Sequence, residues 1–408
     1  MELNKNLDKE LLYTPIQLNH PKNTNHNINI NKPAYIDTAL LITVVILTMI
    51  GLVMVYSVTL HSGIAFLKGQ IMRICIGFFA LIVAININYK SYQGRLKDIL
   101  LVITILLLVF TLIMGKKVAE AKRWALFFQP AEFAKFTLIM WLSGYFANLR
   151  EKQRSFGNII IKQNKPPFLP MFIVGLTIIL LLLQPAVGTS VILTLSSLSM
   201  FYINGMKIKY LFFITLTGII IFSVSILTIP YANKRFKEFR AGTSYQQLQS
   251  RIAIGSGGIF GKGLGEGKQK LFFLPKLHTD FIYSAIGEEF GFIGSFVILL
   301  LFFVLFSRGL KISMEINDDF GQLLASGIVI VIFQYFLVHF GVALSLLPTT
   351  GQPLPFISYG GSAIVTNLYA IGIVLNISKY RRKKINDEFS FNYNRRHRRS
   401  YIPGTSSR

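Results

Sequence analysis

Long apolar segments recur along the 408 residues of the chain, separated by shorter polar stretches. Most are close to the roughly 20 residues that a helix needs to cross the hydrocarbon core of a bilayer. Alternating segments typical of membrane β-strands are absent, and a helix satisfies its own backbone hydrogen bonds within lipid. The pattern therefore predicts an all-α polytopic membrane protein with ten transmembrane helices, over 38–60, 64–86, 98–115, 131–148, 168–184, 187–204, 209–230, 281–306, 322–347 and 362–379.

Composition agrees with this class and divides the chain into a membrane domain and two tails. Hydrophobic residues make up 52% of the chain and charged residues only 15%, which excludes an ordinary water-soluble fold. Residues 1–35 are rich in asparagine and predict a disordered cytoplasmic tail, 36–380 form the membrane domain, and 381–408 form a basic cytoplasmic tail. Much of the net charge of +24 lies in the tails and inner loops, where it faces anionic membrane lipid, so nucleic acid is not an expected partner.

The distribution of lysine and arginine predicts the orientation of the helices. Cationic loops favour the cytoplasm, which places both termini inside and one long extracytoplasmic loop, 231–280, between helices 7 and 8. Cations in that loop and in the segment 116–123 break the rule, which indicates an anionic partner on the outer face. The alternative is that ten helices fix the orientation together and tolerate these exceptions.

The long loop contains the glycine-rich stretch GSGGIFGKGLGEGKQK from Gly255 to Lys270. It is not a nucleotide-binding P-loop, because Gly261-Lys262 is followed by Gly263 rather than by serine or threonine. Glycines let backbone N–H groups approach an anion closely, and the lysines of the stretch add positive charge. An anion-binding loop is one interpretation, and a flexible linker is the other.

Asp280 ends the long loop where the chain re-enters the membrane. A carboxylate at this position could accept a proton from a substrate hydroxyl, and Lys276 and His278 lie near enough in sequence to favour its ionised form. The structural alternative is an N-cap for the helix that begins at Phe281, because aspartate accepts hydrogen bonds from the first free amides.

Two further stretches contain polar groups at membrane depth. Glu132 and Lys135 are three residues apart at the start of the fourth helix, so they share a face and form either a functional pair or a structural ion pair. The segment 347–362 has three prolines and three glycines between helices 9 and 10, which predicts an irregular wall of a cavity on the face of Asp280. Cys75, the single cysteine, is expected to be a small buried residue.

Five motifs in their order resemble the SEDS family of bacterial cell-wall polymerases. They are QPAEFAK (129–135), QPAVGTS (184–190), GSGGIFGKGLGEGKQK (255–270), LPKLHTDFIYSAIGEEFGFIG (274–294) and LPTTGQPLPFISYGGS (347–362). The HTDFI motif and the ending IGIVLNIS resemble the division branch, FtsW, more than the elongation branch, RodA. The match covers about 38–380.

This resemblance implies a ten-helix glycosyltransferase that polymerises lipid II into glycan strands on the outer face of the bacterial inner membrane, at the division septum. It implies Asp280 as the catalytic residue, and as partners a class B penicillin-binding protein, other divisome membrane proteins and membrane lipids. No cofactor or metal ligand is assigned, although a divalent cation, Mg²⁺ or Mn²⁺, is a candidate. The residues expected to bind substrate are Arg123, Trp124, Glu132, Lys135, Lys262, Lys268, Gln269, Lys270, His278, Thr279, Ser358 and Gly360.

The chain departs from the family pattern at Ala186, where the family has aspartate, and at His339, where it has asparagine. Three alternatives stay open. A RodA-like elongation polymerase would use the same chemistry. A lipid II flippase would depend on Glu132, Lys135 and Arg73 and dispense with Asp280. A scaffold for a penicillin-binding protein would have no activity of its own.

Overall fold

The computed structural model describes residues 35–60, 63–118, 121–124, 128–155, 167–271 and 273–381, with side chains undescribed at 116–118, 121–124 and 155. The expected tails, 1–35 and 381–408, lie almost wholly outside the described residues. The α-helices are α1 (Thr38–Thr59), α2 (Ile64–Asn86), α3 (Arg95–Met114), α4 (Pro130–Ser155), α5 (Phe168–Leu183), α6 (Val187–Ile203), α7 (Ile208–Thr228), α8 (Pro230–Arg240), α9 (Tyr245–Gly257), α10 (Ile282–Glu315), α11 (Asp319–Ala343) and α12 (Gly361–Ser378).

Each of the ten predicted segments overlaps a helix, with ends that differ by up to nine residues, and these helices are α1 to α7 and α10 to α12. Seven helices in the described part are long and apolar enough to cross a membrane, so this is a multi-pass membrane protein. The other three fall short for physical reasons: α5 and α6 have 16 and 17 residues, and α4 carries charged residues at both ends. The count of ten crossings stays a prediction.

The predicted long loop is not an extended linker. Its first half forms α8 and α9, and its second half is a series of turns packed on α10. A short antiparallel hairpin of β1 (Lys116–Val118) and β2 (Ala121–Trp124) is the one sheet in the described residues. The flexible-linker interpretation is therefore wrong, and the all-α prediction holds apart from this hairpin.

The centre of the bundle is formed by α11 and α12, which are mostly buried, while α7 has no buried residue. Helix α2 packs along α12 through small residues, and a Cβ at Gly372 would meet the Leu81 carbonyl oxygen at 2.6 Å. Such close approach is what glycine permits between membrane helices. Cys75, expected to be buried, is instead exposed on α2, where a thiol facing lipid requires no polar partner.

A break at Gly291 divides α10 near its start. Gly291 has φ +65° and ψ −158°, a conformation that favours glycine and interrupts the helix. The chain from Gly258 to Gly263 pairs with the freed backbone: the Lys262 amide donates to the Glu288 carbonyl at 3.1 Å, and the Phe292 amide donates to the Gly258 carbonyl at 2.9 Å. The break therefore fastens the glycine-rich stretch to the membrane bundle.

Asp37 joins α1, α10 and α12 near the end of α10 that is farther from Asp280 along the chain. Its fully buried carboxylate caps α1 through the Leu40 amide at 2.9 Å and accepts from Arg308 at 2.7 Å and from Arg381 at 2.9 Å. Burial acts to raise the pKa of Asp37, but the Leu40 amide and the two guanidinium groups outweigh it and lower the pKa below its ordinary value.

Candidate active site

A polar cavity of about 300 Å³ lies where α4, α8 and α12 meet the turn that precedes α10. The segment between α11 and α12 forms one wall, as its proline and glycine content predicted. The predicted site residues that line the cavity are Glu132, His278, Thr279, Asp280 and Gly360, and they are joined there by Gln129, Tyr231, Arg235, Lys276, Gly351, Pro353, Tyr359, Gly361, Ser362 and Ala363.

Asp280 is presented to the cavity by a tight turn. The amides of Thr279 and Asp280 both donate to the Lys276 carbonyl, at 3.1 and 2.9 Å, and Lys276 itself has a φ of +59°. Among the described residues no donor lies within hydrogen-bond or ion-pair distance of the Asp280 carboxylate. The N-cap of α10 is Phe281 without a side-chain cap, so the capping interpretation of Asp280 is wrong.

The wall segment is fastened directly to the turn that carries Asp280. The Ser358 hydroxyl donates to the Thr279 carbonyl at 2.6 Å and accepts from the Leu354 amide at 2.8 Å, while the Tyr359 amide donates to the His278 carbonyl at 2.9 Å. Ser358 is buried behind the cavity lining. Its position is that of a support for the turn, whereas Thr279 and Gly360 lie at the surface of the cavity.

Aromatic rings close one side of the cavity. His278, Tyr359 and Phe66 of α2 pack with centroid distances of 5.3 to 5.6 Å, and the Arg73 guanidinium lies 4.2 Å over the Tyr359 ring. Burial lowers the pKa of His278, and the nearby Asp280 offsets this only in part. The direction of this shift favours the neutral form of His278, and substrate binding by His278 stays a prediction.

Glu132 and Lys135 form a buried ion pair beside the cavity, with the ammonium nitrogen 2.6 Å from the carboxylate and side chains at most 2% exposed. The Lys135 ammonium also lies 4.2 Å over the Tyr335 ring. Glu132 reaches the cavity surface and Lys135 lies behind it. The predicted pairing is confirmed; a direct contact of either residue with substrate stays a prediction.

The lysines of the glycine-rich stretch lie apart from the cavity lining. Lys262 pairs with Glu288 at 2.7 Å, and Lys270 lies 3.5 Å from Glu289 and contacts the Gly265 carbonyl. Glu288 also accepts from the amides of Lys268 and Gln269, at 2.9 and 3.1 Å. The two buried glutamates thus neutralise much of the charge that was expected to hold an anion. Substrate binding by these four loop residues stays a prediction.

Arg235 of α8 is the cavity cation that the sequence analysis missed. Its Nη1 donates to the Thr349 carbonyl at 2.8 Å, and its guanidinium lies 4.3 Å over the Tyr231 ring. A Cβ built on Gly351 would lie 3.5 Å from the Asp280 carboxylate and 3.8 Å from Arg235 Nη1, so the two charges flank the same glycine. The sequence KRFK in α8 indicated a positively charged segment. Because α8 has four cations among eleven residues, the sequence alone did not predict which of them faces the cavity.

The remaining predicted groups are less fully described. Arg123 and Trp124 belong to β2, and their side chains are outside the described residues. Within the described part, no three histidine, cysteine, aspartate or glutamate side chains are grouped closely enough to hold a metal ion. Ala186, at the start of α6, is buried, and His339 Nδ1 lies 2.9 Å from the Gln352 carbonyl behind the cavity wall.

Comparison with known proteins agrees with this architecture. Residues 37–383 match the cell cycle protein family of FtsW, RodA and SpoVE. A probable peptidoglycan glycosyltransferase FtsW of Trichlorobacter lovleyi is 39% identical over 84% of this chain and 93% of its own. Stage V sporulation protein E of Bacillus subtilis is 35% identical over 85% of this chain and 98% of its own.

A solved structure shares the fold. One chain of a peptidoglycan synthase complex, described for its structural coordination of polymerization and crosslinking, superposes with a TM-score of 0.69 at 23% identity. The alignment covers 86% of this chain and 99% of that one. The motifs, the fold and the extent of these matches confirm the resemblance to the SEDS polymerases, and the chain belongs to the FtsW, RodA and SpoVE family.

Proposed function

We propose that the protein is a peptidoglycan glycosyltransferase that polymerises lipid II, with Asp280 as the general base. The observation that carries this proposal is the Asp280 carboxylate, which faces a polar cavity and has no hydrogen-bond or ion-pair partner among the described residues. A carboxylate that is paired with a lysine or arginine would be a poor proton acceptor, and the Asp280 carboxylate has no such pair among the described residues. The FtsW relative supports the substrate class.

In the proposed reaction, Asp280 accepts the proton of the acceptor sugar 4-hydroxyl as that oxygen attacks the anomeric carbon of the donor. The new glycosidic C–O bond forms while the bond from the anomeric carbon to the diphosphate oxygen breaks. The diphosphate leaves with the electron pair and remains attached to its polyprenyl chain. A positioned base of this kind contributes roughly 10²- to 10⁴-fold to the rate.

A divalent cation would need oxygen ligands at this cavity, and Asp280 and Glu132 are its lining carboxylates. Since Glu132 is already paired with Lys135, most ligands would have to come from the diphosphate and from water. Mg²⁺ or Mn²⁺ would supply charge stabilisation for the departing diphosphate.

We further propose that the chain works in the inner membrane at the division septum, with both termini in the cytoplasm and the Asp280 cavity on the outer face. FtsW relatives support the division role over the elongation role. A class B penicillin-binding protein is the proposed partner, supported by the similar fold found in a synthase complex that couples polymerization with crosslinking.

The test is polymerisation of lipid II by purified full-length protein with its class B partner. Asp280→Asn should reduce glycan formation at least 100-fold, because the amide cannot accept the proton, while the thermal unfolding midpoint stays close to that of the unchanged protein. Glu266→Gln is the matched control, since Glu266 is exposed in the same long loop and does not line the cavity. Normal glycan formation by Asp280→Asn would contradict the assignment.

The same variants separate the alternatives. A flippase would move lipid II across proteoliposomes equally well with Asn at position 280 and would lose transport in Glu132→Gln. A scaffold would support the activity of its partner with either substitution and form no glycan itself.

A further inference from the structure

Two further cavities near the Asp280 cavity are lined by residues of α8. The first, here called the α8 passage, is about 70 Å³ and shares Tyr231 and Arg235 with the Asp280 cavity. The second, the elbow groove, is about 710 Å³ at the bend between α7 and α8 and shares Ile226 and Phe236 with the passage. Shared lining residues make the three spaces neighbours, in the order Asp280 cavity, α8 passage and elbow groove.

The chemical character of the lining changes along this path. The Asp280 cavity is lined by carboxylates, cations and hydroxyl groups, whereas the passage is lined mainly by the apolar parts of Val187, Ile226 and Phe236. The elbow groove is lined by Ile226, Leu227, Phe236 and Ala241 together with the polar residues Ser223, Asn233, Lys237 and Arg240, and α7 itself has no buried residue. A molecule with a polar head and a long apolar chain would match this sequence of surfaces.

Arg235 stands at the junction of the polar and apolar parts. Its guanidinium is oriented by two neutral groups, the Thr349 carbonyl and the Tyr231 ring, and no carboxylate of the described residues lies within ion-pair distance of it. Lys262 and Lys270 of the glycine-rich stretch, in contrast, are paired with Glu288 and Glu289. An arginine held in this way keeps its full charge and several N–H donors for a phosphate-type anion.

We propose that Arg235 binds the diphosphate of the donor substrate, and that the attached polyprenyl chain leaves through the α8 passage and the elbow groove along α7. This inference rests on the proposed function. The donor is favoured over the acceptor by chemistry: in the donor the diphosphate is bonded to the carbon that reacts, so it must lie next to the base. The acceptor diphosphate lies a disaccharide away from the reacting 4-hydroxyl. Arg235 and Asp280 flank the same glycine, which fits the donor.

The test of the head-group site is a binding measurement that needs no turnover. Full-length protein in nanodiscs is titrated with undecaprenyl diphosphate, with undecaprenol and with inorganic pyrophosphate. Arg235→Gln, which keeps a donor for the Thr349 carbonyl, should weaken undecaprenyl diphosphate and inorganic pyrophosphate about 10- to 100-fold and leave undecaprenol unchanged. Lys234→Gln is the control, because Lys234 is exposed on the same helix and lines none of the three cavities.

The path of the polyprenyl chain is tested by a substitution that changes side-chain volume rather than charge. Ile226→Trp should fill the passage and weaken undecaprenyl diphosphate and undecaprenol about tenfold, while inorganic pyrophosphate binds as before. Ile220→Trp is the control, because Ile220 is 56% exposed on α7 and lines none of the three cavities.

Three outcomes would overturn this inference. They are unchanged diphosphate binding in Arg235→Gln, a larger loss in Lys237→Gln of the elbow groove than in Arg235→Gln, and equal effects of the tryptophan substitutions at 226 and 220. Failure of the proposed function is a different result, whatever the binding data show: the unchanged protein would then form no glycan, or Asp280→Asn would form as much glycan as the unchanged protein.

Discussion

Among the described residues, the Asp280 carboxylate has no hydrogen-bond or ion-pair partner, whereas the buried acids Glu132, Glu288 and Asp37 do. Glu132 is held by Lys135 at 2.6 Å, Glu288 by Lys262 at 2.7 Å, and Asp37 by two arginines. Removing a charge from water without compensation is costly, so such groups are normally paired. A half-buried carboxylate that is left unpaired on a cavity wall is therefore the residue whose charge is available for chemistry.

The Glu132–Lys135 pair should be more sensitive to loss of one member than to loss of both. Lys135→Met leaves the Glu132 carboxylate buried without a partner, and we expect it to lower the free energy of unfolding by about 3–5 kcal/mol. The double variant Glu132→Gln, Lys135→Met should recover most of this loss. Chemical unfolding in detergent measures both; equal losses in the single and double variants would show that charge pairing is not the cause.

His278 should make stability dependent on pH in a defined direction. Burial lowers its folded pKa below the ordinary 6.5, so below pH 6.5 the unfolded chain binds more protons than the folded one. The contribution of neutral His278 is complete above pH 6.5 and is lost as the pH falls toward the lowered folded pKa.

We therefore expect the unfolding midpoint of the unchanged protein to decline between pH 7.5 and 5.5 more steeply than that of His278→Asn. Thermal unfolding followed at several pH values measures the two slopes. A steeper decline in the variant would contradict the direction of the shift.

At the scale of elements, the glycine-rich stretch forms backbone hydrogen bonds with α10 where that helix is interrupted near its start. A Cβ at Gly291 would lie 2.3 Å from the Gly261 amide nitrogen, and φ of +65° strains any other residue. Gly291→Ala should therefore destabilise the protein by at least about 2 kcal/mol and expose the stretch to proteolysis.

Gly255 provides the control for this prediction. It lies inside α9, and no atom lies within 4 Å of the point that a Cβ would occupy, so Gly255→Ala should be neutral or stabilise by up to about 1 kcal/mol. Unfolding free energy and protease resistance distinguish the two variants. Comparable losses at positions 255 and 291 would contradict the role of the break.

The apolar segments could be predicted well because each is a continuous run of hydrophobic residues, which can be identified without knowledge of distant parts of the chain. All ten overlap helices, and the irregular segment 347–362 does line the cavity with Asp280. The helices α8 and α9 were missed because glycine, serine and charged residues gave them the composition of a loop. The inward direction of Arg235 was missed since it depends on Thr349, more than a hundred residues away. For the same reason the pairing of Lys262 with Glu288 could not be predicted.

At the scale of the whole molecule, the bundle is fastened near the far end of α10 by Asp37, while the end with Asp280 holds an open cavity. Asp37→Asn removes charged hydrogen bonds to Arg308 and Arg381 and should cost about 2–3 kcal/mol at pH 7. The folded pKa of Asp37 is lowered, so its contribution is present above about pH 3.8 and is lost as the pH falls through the lowered value.

Unfolding midpoints of Asp37→Asn and the unchanged protein should thus differ at neutral pH and converge as the pH falls below 4. Glycan formation per folded molecule should be the same in both. Asp37 contacts α10 at Arg308, whereas the cavity lies at the turn that precedes α10. A constant difference at all pH values would show that the variant acts by something other than charge.

Helix α7 has no fully buried residue, and among the described residues its main contacts are with α6 and α8. Only Tyr210, Leu211, Ile214 and Phe222 of its described side chains pack partly buried against the core. Few protein contacts therefore fix the distance of α7 from its neighbours, and the acyl chains around it contribute to that spacing. Purification in a short-chain detergent would remove this support and leave the rest of the bundle intact. Loss of binding on extraction, recovered on return to a bilayer of native thickness, would then report the surroundings of one helix rather than damage to the fold.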